Sequence, residues 1–306
     1  MSSRLDRALP WISRAVAALA LGAVLWAALT AWGAVAHGHP AYAVWLALTA
    51  LVAIGSLAWS LRARPAGRGW RRVVRIVGLA GALAWIAATA WLRPFTALEP
   101  ALTAMESTAS VTVTESATSI VMDPVGGGNG TGLVFYPGAR VDPRAYAAHL
   151  APLALSGHPV VVVKEPLGIA FLSRGTLAGI IADRGGNWAV AGHSLGGTVA
   201  AMEAEDARPR ALVFWASYPA GDLSDWTGAV ASISGSEDGL STRATIAASR
   251  DKLPAAAVFT EVGGANHAQF GSYGPQPGDG VPYVTNEDAR AEIVSATLAF
   301  LGSLEP

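Results

Sequence analysis

The sequence contains no cysteine and few charged residues. Without a thiol, the chain can form no disulfide, thiolate metal site or iron–sulfur cluster, and it has no cysteine nucleophile. Asp, Glu, Lys and Arg make up 14% of the 306 residues, against roughly 25% in ordinary soluble proteins. Hydrophobic residues make up 52%. This composition indicates that part of the chain lies in lipid.

The N-terminal third also lacks lysine and almost lacks acids. Residues 1–98 contain ten arginines and one carboxylate, Asp6, whereas the rest of the chain carries 11 basic and 21 acidic residues. Opposite charge character predicts two regions in different environments. We predict a membrane region over residues 1–98, a linker over 99–110 and a globular domain over 111–306. That domain is long enough to bury one substantial core.

Three long apolar runs lie in the membrane region. They cover about residues 11–36, 41–61 and 75–93, and a helix needs about 20 mostly apolar residues to cross the hydrocarbon. The first run is too long for the apolar part of a cleaved signal peptide, and two more runs follow it. Tryptophans lie in or beside the runs, and several are near the ends, where their rings favour the membrane interface. The sequence therefore predicts three transmembrane helices.

The arginines predict the orientation of these helices. The segment 37–40 between the first two spans has no arginine, and Arg4 and Arg7 precede the first span. The segment between the second and third spans holds six: Arg62, Arg64, Arg68, Arg71, Arg72 and Arg75. Positive loops face the cytoplasm. We therefore expect a multi-pass cell-membrane protein with a cytoplasmic N-terminus and, after three crossings, an extracytoplasmic domain.

Apolar β-branched runs alternate with helical segments through the globular domain. Nearly continuous apolar strands alternating with helices predict an α/β fold with a mostly parallel sheet covered on both faces. The Gly-rich segment 125–132 lacks the Lys-Ser/Thr ending of a phosphate loop, and we interpret it as a hairpin turn. The segment 218–229 between two strands is too short for a lipase-type lid, so we expect no large cap. Strands are predicted over 111–114, 119–122, 132–136, 160–164, 188–192, 212–216, 230–234 and 256–262.

The motif Gly192-His193-Ser194-Leu195-Gly196-Gly197 stands between a predicted strand and a predicted helix. That context is the one a nucleophile elbow requires, with the serine hydroxyl exposed on a strained turn. Small residues are needed on both sides because a β-carbon there would crowd the turn. The motif predicts Ser194 as a nucleophile.

A serine needs a base to take its proton, and the base needs a carboxylate to orient it. His267 is the only one of the six histidines that follows Ser194, in a loop after the last predicted strand. Asp238 follows the strand before it, which gives the order Ser, Asp, His expected of this type of site. Asp222 and Asp225, after the preceding strand, remain alternatives for the acid.

Two backbone amides are expected to stabilise the oxyanion of the reaction. One belongs to Leu195, directly after the nucleophile, at the positive end of a helix. The other lies in the loop after the strand 132–136, where we choose Ala139, with Gly138 as the alternative.

These motifs resemble the dienelactone-hydrolase-like, carboxylesterase-like branch of the α/β-hydrolase superfamily. The resemblance rests on Phe135-Tyr136-Pro137-Gly138-Ala139, on the Ser194 motif, on Gly235-Ser236-Glu237-Asp238-Gly239 and on the segment 264–271, GANHAQFG. It implies an α/β-hydrolase fold and a triad of Ser194, Asp238 and His267. Dienelactone hydrolases use a cysteine nucleophile, which this chain lacks, so their lactone substrate is not implied. The three apolar spans lie outside the resemblance.

The sequence thus predicts a membrane-anchored serine hydrolase that cleaves carboxylic esters without a metal or organic cofactor. We expect a small-molecule or lipid-like acyl ester as substrate and no nucleic-acid partner. Three alternatives remain open: an acyltransferase acting on cell-envelope lipids or glycans, a peptidase with a side-chain pocket, and a non-catalytic scaffold that retains the fold.

Overall fold

The structure is a computed structural model that describes residues 4–62, 69–128 and 130–305. The chain divides into two compact units, one formed by residues 1–36 and 40–93 and the other by residues 37–39 and 94–306. Arg64 and Arg68 of the predicted cytoplasmic loop lie outside the described residues, as do the side chains of Arg4, Arg7 and Arg62.

The described residues of the first unit form three long apolar helices. They are α1 (Arg4–His37), α2 (Pro40–Arg62) and α3 (Gly69–Trp91). Each is long and apolar enough to cross a membrane, because about 20 apolar residues at 1.5 Å per residue match the hydrocarbon thickness. The three helices contain the predicted apolar segments 11–36 and 41–61 and most of 75–93, and the first and the third begin several residues earlier than predicted.

Two tryptophans of this unit lie between helices. The rings of Trp45 on α2 and Trp85 on α3 stack with centroids 3.7 Å apart. Trp45 Nε1 donates to Thr89 Oγ1 at 2.9 Å, and Trp85 Nε1 donates to Thr49 Oγ1 at 2.8 Å. The ladder of aromatic stacking and reciprocal hydrogen bonds joins α2 to α3, since an indole N–H in an apolar region needs an acceptor.

The second unit is built on one twisted sheet, which has eight strands within the described residues. In sheet order β1-β2-β4-β3-β5-β6-β7-β8, β1 and β2 pair antiparallel with each other, β2 pairs antiparallel with β4, and the pairs from β4 to β8 are parallel. The strands are β1 (Val111–Glu115), β2 (Ser119–Pro124), β3 (Gly132–Tyr136), β4 (Val160–Val163), β5 (Trp188–His193), β6 (Ala211–Trp215), β7 (Ala229–Gly235) and β8 (Val258–Val262).

Helices cover both faces of this sheet. β3 to β6 are buried along their whole length, which is why they read as unbroken apolar runs. Residues 216–228, between β6 and β7, contain neither helix nor strand. This agrees with the expectation that no large cap is inserted there. The helices are α4 (Ala147–Leu155), α5 (Thr176–Arg184), α6 (Leu195–Ala207), α7 (Arg243–Ser249) and α8 (Asn286–Gly302).

The hairpin turn predicted over the Gly-rich segment 125–132 is wrong. β2 pairs with β1 and β4, and β3 pairs with β4 and β5, so β2 and β3 are not neighbours. The segment crosses over β4 instead. Strand pairing depends on contacts that are distant in sequence, which a local Gly-rich pattern does not report.

Residues 94–101, just before and at the start of the expected linker, belong to the second unit. Ala101 is fully buried and Ala97 is nearly so. The amide of Phe95 donates to the carbonyl of Arg140 at 2.7 Å, and that of Leu98 donates to the carbonyl of Ser272 at 2.8 Å. Residues 94–101 are therefore packed against the rest of the second unit through backbone hydrogen bonds, which need no apolar period in the sequence.

Candidate active site

Ser194 stands at the turn between β5 and α6. Its φ of 53° and ψ of −124° are unfavourable for a residue with a β-carbon. The hydrogen-bonded surroundings impose this conformation: the Ser194 amide donates to the Trp215 carbonyl at 3.0 Å, and the Ser194 carbonyl accepts from Ser217 Oγ at 2.6 Å. Strain of this kind is found at functional sites, and here it lies at the carboxyl end of β5.

The neighbouring glycines allow this turn. A β-carbon on Gly192 would collide with the backbone of Gly196 and Gly197, and one on Gly196 would collide with the carbonyls of Tyr136 and Pro137. The start of α6 therefore lies in direct contact with the loop after β3. The turn itself is possible because Gly192 has no side chain, and the close approach to the loop is possible because Gly196 has none.

Asp238 and His267 form a buried acid–base pair. Asp238 follows β7 and His267 follows β8, so the carboxyl ends of adjacent parallel strands bring them together. His267 Nδ1 lies 2.8 Å from Asp238 Oδ2, and both side chains are fully buried. A carboxylate only accepts, so Nδ1 carries the proton. Nε2 of His267 has no hydrogen-bond partner in the described part of the chain.

The other oxygen of Asp238 is held by backbone amides. Oδ1 accepts from Leu240 N at 2.8 Å and from Ser241 N at 2.6 Å. These two bonds stabilise the ionised carboxylate and aim Oδ2 at the imidazole.

The two alternative acids lie elsewhere. Asp222 accepts from the amide of Ser224 at 2.9 Å. Asp222 and Asp225 line a separate surface cleft of about 680 Å³ together with Arg210 and Trp226. Among the described residues, Asp238 is thus the carboxylate that is bonded to the ring of His267.

The loop after β3 presents one occupied and one free amide. Gly138 N donates to Tyr146 Oη at 2.9 Å. For the amides of Ala139 and Leu195, no acceptor is found within 4–62, 69–128 and 130–305. Gly138, the sequence-based alternative to Ala139, is therefore already bonded, and the two free amides belong to the residues chosen for the oxyanion.

The same tyrosine orients His193. Tyr146 Oη lies 2.8 Å from His193 Nδ1, and the Tyr146 oxygen already accepts from Gly138, so Tyr146 donates to a neutral imidazole. Burial, with the neighbouring His267 and His149 adding to it, lowers the pKa of His193 well below its ordinary value. His193, whose ring centroid is 4.5 Å from that of His267, is thus an uncharged neighbour of the base.

The model of the "Alpha/beta hydrolase family" matches residues 132–291, more than half of the chain. The chain belongs to the alpha/beta hydrolase family. No curated protein matches it.

Several solved structures are similar to this chain at low identity. An α/β serine hydrolase without a lid from Xanthomonas campestris is 15% identical, covering 64% of this chain and 97% of that one, with a TM-score of 0.45. A dienelactone hydrolase-like promiscuous phosphotriesterase from metagenomic libraries is 21% identical, covering 64% and 99%, with a TM-score of 0.45. A Thermus thermophilus protein is 18% identical, covering 64% and 99%, with a TM-score of 0.47.

Sequence reasoning about this alpha/beta hydrolase missed several residues around the site. Tyr146 lies in an ordinary helical segment, and no local signal marks its bond to Gly138. Asn266 and Gln269 form a capping box around the turn that carries His267, and their spacing is a signal that could have been recognised. Asp279 accepts from the amide of His267 but lies in a Pro- and Gly-rich loop that resembles any surface turn.

No group of three or more His, Asp or Glu side chains is arranged to hold a metal ion within the described residues.

Proposed function

We propose that this alpha/beta hydrolase is a membrane-anchored serine hydrolase that cleaves carboxylic esters through Ser194, His267 and Asp238. The observation that carries the proposal is the buried pair of Asp238 and His267, 2.8 Å apart. The free Nε2 of His267 and the strained Ser194 at the carboxyl end of β5, in the same sheet, add to it. A buried histidine with one nitrogen bonded and the other free is what a base for a serine needs.

The proposed reaction assigns one role to each of these groups. Ser194 Oγ attacks the acyl carbon while His267 Nε2 takes its proton, and Asp238 stabilises the imidazolium. The amides of Ala139 and Leu195 donate to the oxyanion, where the N-terminus of α6 adds its positive dipole. Nε2 then returns the proton to the departing alcohol. A water molecule, deprotonated by the same nitrogen, then attacks the acyl carbon. The bond between that carbon and Ser194 Oγ breaks, Nε2 returns the proton to Ser194 Oγ, and the carboxylic acid leaves.

The substrate class follows from the cover of the site. Residues 216–228 form an open connection without a helix, and a lid-less site is accessible to small acyl esters and to acyl groups exposed on a larger molecule. We propose a small or lipid-like acyl ester as substrate.

The proposed location follows from charge and length. Three helices in the described part of the chain are long and apolar enough to cross a membrane, and six arginines lie within residues 62–75, around the end of the second helix and the start of the third. The positive-inside rule supports a cytoplasmic N-terminus and a hydrolase domain outside the cytoplasm.

Labelling with a charged, membrane-impermeant fluorophosphonate probe tests both parts of the proposal. In intact cells we expect the wild type to be labelled and Ser194→Ala to stay unlabelled, because the phosphorus forms a bond to an activated serine oxygen. Ester hydrolysis by Ser194→Ala should fall by on the order of 10³-fold or more.

Each other outcome has a definite meaning. Labelling that appears only after lysis would contradict the proposed orientation but would still support the serine mechanism. A folded wild type that is never labelled would contradict the serine mechanism and favour a scaffold. Transfer of the acyl group to an added alcohol, in preference to water, would identify an acyltransferase.

A further inference from the structure

Asp279 bonds to the backbone of two loops, the one that carries the acid and the one that carries the base. Its Oδ1 accepts from His267 N at 3.1 Å and from Gly239 N at 3.2 Å, and its Oδ2 accepts from Ala268 N at 2.9 Å. Oδ1 also accepts from Gly280 N at 2.7 Å. One carboxylate thus accepts hydrogen bonds from four backbone amides that belong to three segments of the chain.

The contacts around Asp279 are close on both sides. A β-carbon on Gly239 would lie 2.7 Å from the carbonyl oxygen of Gly278 and from the amide nitrogen of Gly280. Asn266 Nδ2 donates to the carbonyl of Gly280 at 2.9 Å. The segment 278–280 therefore lies between the residue after Asp238 and the residue before His267.

The role of Asp279 is distinct from that of Asp238. Asp238 binds the ring of His267, whereas Asp279 binds the backbone amide of the same residue. Hydrogen bonds to a charged acceptor are roughly twice as strong as neutral ones. The relative position of acid and base therefore depends on Asp279 as well as on the bond between their side chains.

We propose that Asp279 is a positioning residue that holds the Asp238 and His267 loops in register for catalysis. The proposal rests on the proposed function, since it assigns Asp279 to the geometry of that acid–base pair. Asp279 does not touch the reacting atoms. Its effect passes through the backbone of His267 and Gly239.

Asp279→Asn is the sharpest test because it keeps the shape of the side chain. Its one oxygen can replace Oδ1, but its NH₂ group then faces the amide of Ala268, donor against donor. The turn that carries His267 has to shift. A displacement of about 1 Å in a catalytic group lowers a rate by up to about 100-fold.

The experiment uses the full-length protein in detergent, with Asp222→Asn as the matched control. Asp222 also accepts a backbone amide but lies outside the site. For Asp279→Asn we expect the rate constant of fluorophosphonate labelling to fall between about 10-fold and 100-fold, with the final extent of labelling unchanged. For p-nitrophenyl acetate, kcat should fall in parallel while KM stays within about twofold. Asp222→Asn should match the wild type.

A second readout does not depend on activity. The proton on His267 Nδ1, bonded to Asp238, gives a downfield proton NMR signal in protein labelled with ¹⁵N-histidine. We expect this signal to be lost or strongly broadened in Asp279→Asn and retained in Asp222→Asn.

The outcomes separate this proposal from the proposed function. An unchanged labelling rate and an unchanged signal in Asp279→Asn would refute the positioning role and leave the serine hydrolase standing. A lower final extent of labelling with an unchanged rate constant of labelling would show that Asp279 acts only in folding. That result would also refute the positioning role. If the wild type is not labelled at all, the serine mechanism fails, and the NMR signal alone decides whether Asp279 holds the pair.

Discussion

At the scale of single residues, the site depends on which atom of each polar group is already bonded. Gly138 has given its amide to Tyr146, so Ala139 supplies the free amide in the same loop. Asp238 Oδ1 accepts hydrogen bonds from two backbone amides, which leaves Oδ2 to accept from His267. A residue near the site can act in the reaction only through an atom that has no other hydrogen-bond partner.

The bonding of Asp238 predicts the result of replacing it with asparagine. The amides of Leu240 and Ser241 hold the single oxygen of Asn, so its NH₂ group faces His267 Nδ1 and forces the proton onto Nε2. A base protonated on Nε2 cannot take the serine proton. We expect kcat in Asp238→Asn to fall by on the order of 10³-fold to 10⁴-fold. Steady-state ester hydrolysis measures this, and Asp222→Asn, the alternative acid, should keep wild-type activity. The reverse result would move the acid to Asp222.

At the scale of elements, the site is made by the close approach of α6 to the loop after β3. Gly196 in the first turn of α6 touches the carbonyls of Tyr136 and Pro137. These neighbours are backbone atoms, which cannot rotate away as side chains do. The element that carries the nucleophile and the loop that supplies an oxyanion amide are thus mechanically coupled.

Two Gly→Ala substitutions on helices should therefore have opposite effects. In Gly196→Ala the new methyl group meets those carbonyls, and we expect a loss of stability of about 1–3 kcal/mol together with the loss of ester hydrolysis. Gly179, in the exposed part of α5, has open space around it. Gly179→Ala should raise stability by about 0.5–1 kcal/mol, because alanine has the higher helix propensity. Chemical denaturation and kinetic assays measure both effects, and equal behaviour of the two variants would contradict the packing argument.

At the scale of the whole molecule, charge is distributed unevenly between the two units. The first 98 residues carry a strong excess of arginine, and the rest of the chain is acidic. Within the hydrolase unit, however, several histidines are removed from water. His149 is almost completely buried on α4, and its Nε2 lies 3.0 Å from the carbonyl of Gln269, in the turn that carries His267.

This burial makes the stability of the fold depend on pH. Burial lowers the pKa of His149 from 6.5 to about 4, so between these values the unfolded chain binds a proton that the folded chain does not. The free energy of unfolding should therefore fall as pH drops from about 6.5 to about 4, by up to about 1.4 kcal/mol per pH unit from this residue. Above pH 7 the residue contributes no pH dependence.

The variant His149→Gln isolates this contribution, because glutamine can donate to the same carbonyl and does not titrate in this range. We expect the stability of the wild type relative to the variant to decrease steadily below pH 6.5 and to be constant above pH 7. Denaturant unfolding of the full-length protein in detergent across pH 4.5–7.5 measures this difference. A difference that does not change with pH would contradict the neutral state of His149.

Local patterns in the sequence were sufficient for the elements and for part of the site. Buried parallel strands appear in the sequence as apolar runs. The segment from Gly192 to Gly197 is recognisable as an elbow because a predicted strand precedes it and a predicted helix follows it. His267 is the histidine that follows Ser194. Composition alone separates the apolar helices from the hydrolase domain. These features are encoded by neighbours in the chain, so they can be read without the fold.

Tertiary structure alone decided the remaining features. Strand order, with β4 between β2 and β3, contradicts the predicted hairpin turn, and it brings the strand ends after β7 and β8 together, so that Asp238 rather than Asp222 bonds to His267. Asp279 and Tyr146 bind backbone and side-chain atoms that are distant in sequence. Their roles depend on which atoms a folded sheet edge brings within hydrogen-bond distance, and no local pattern in the chain encodes that distance.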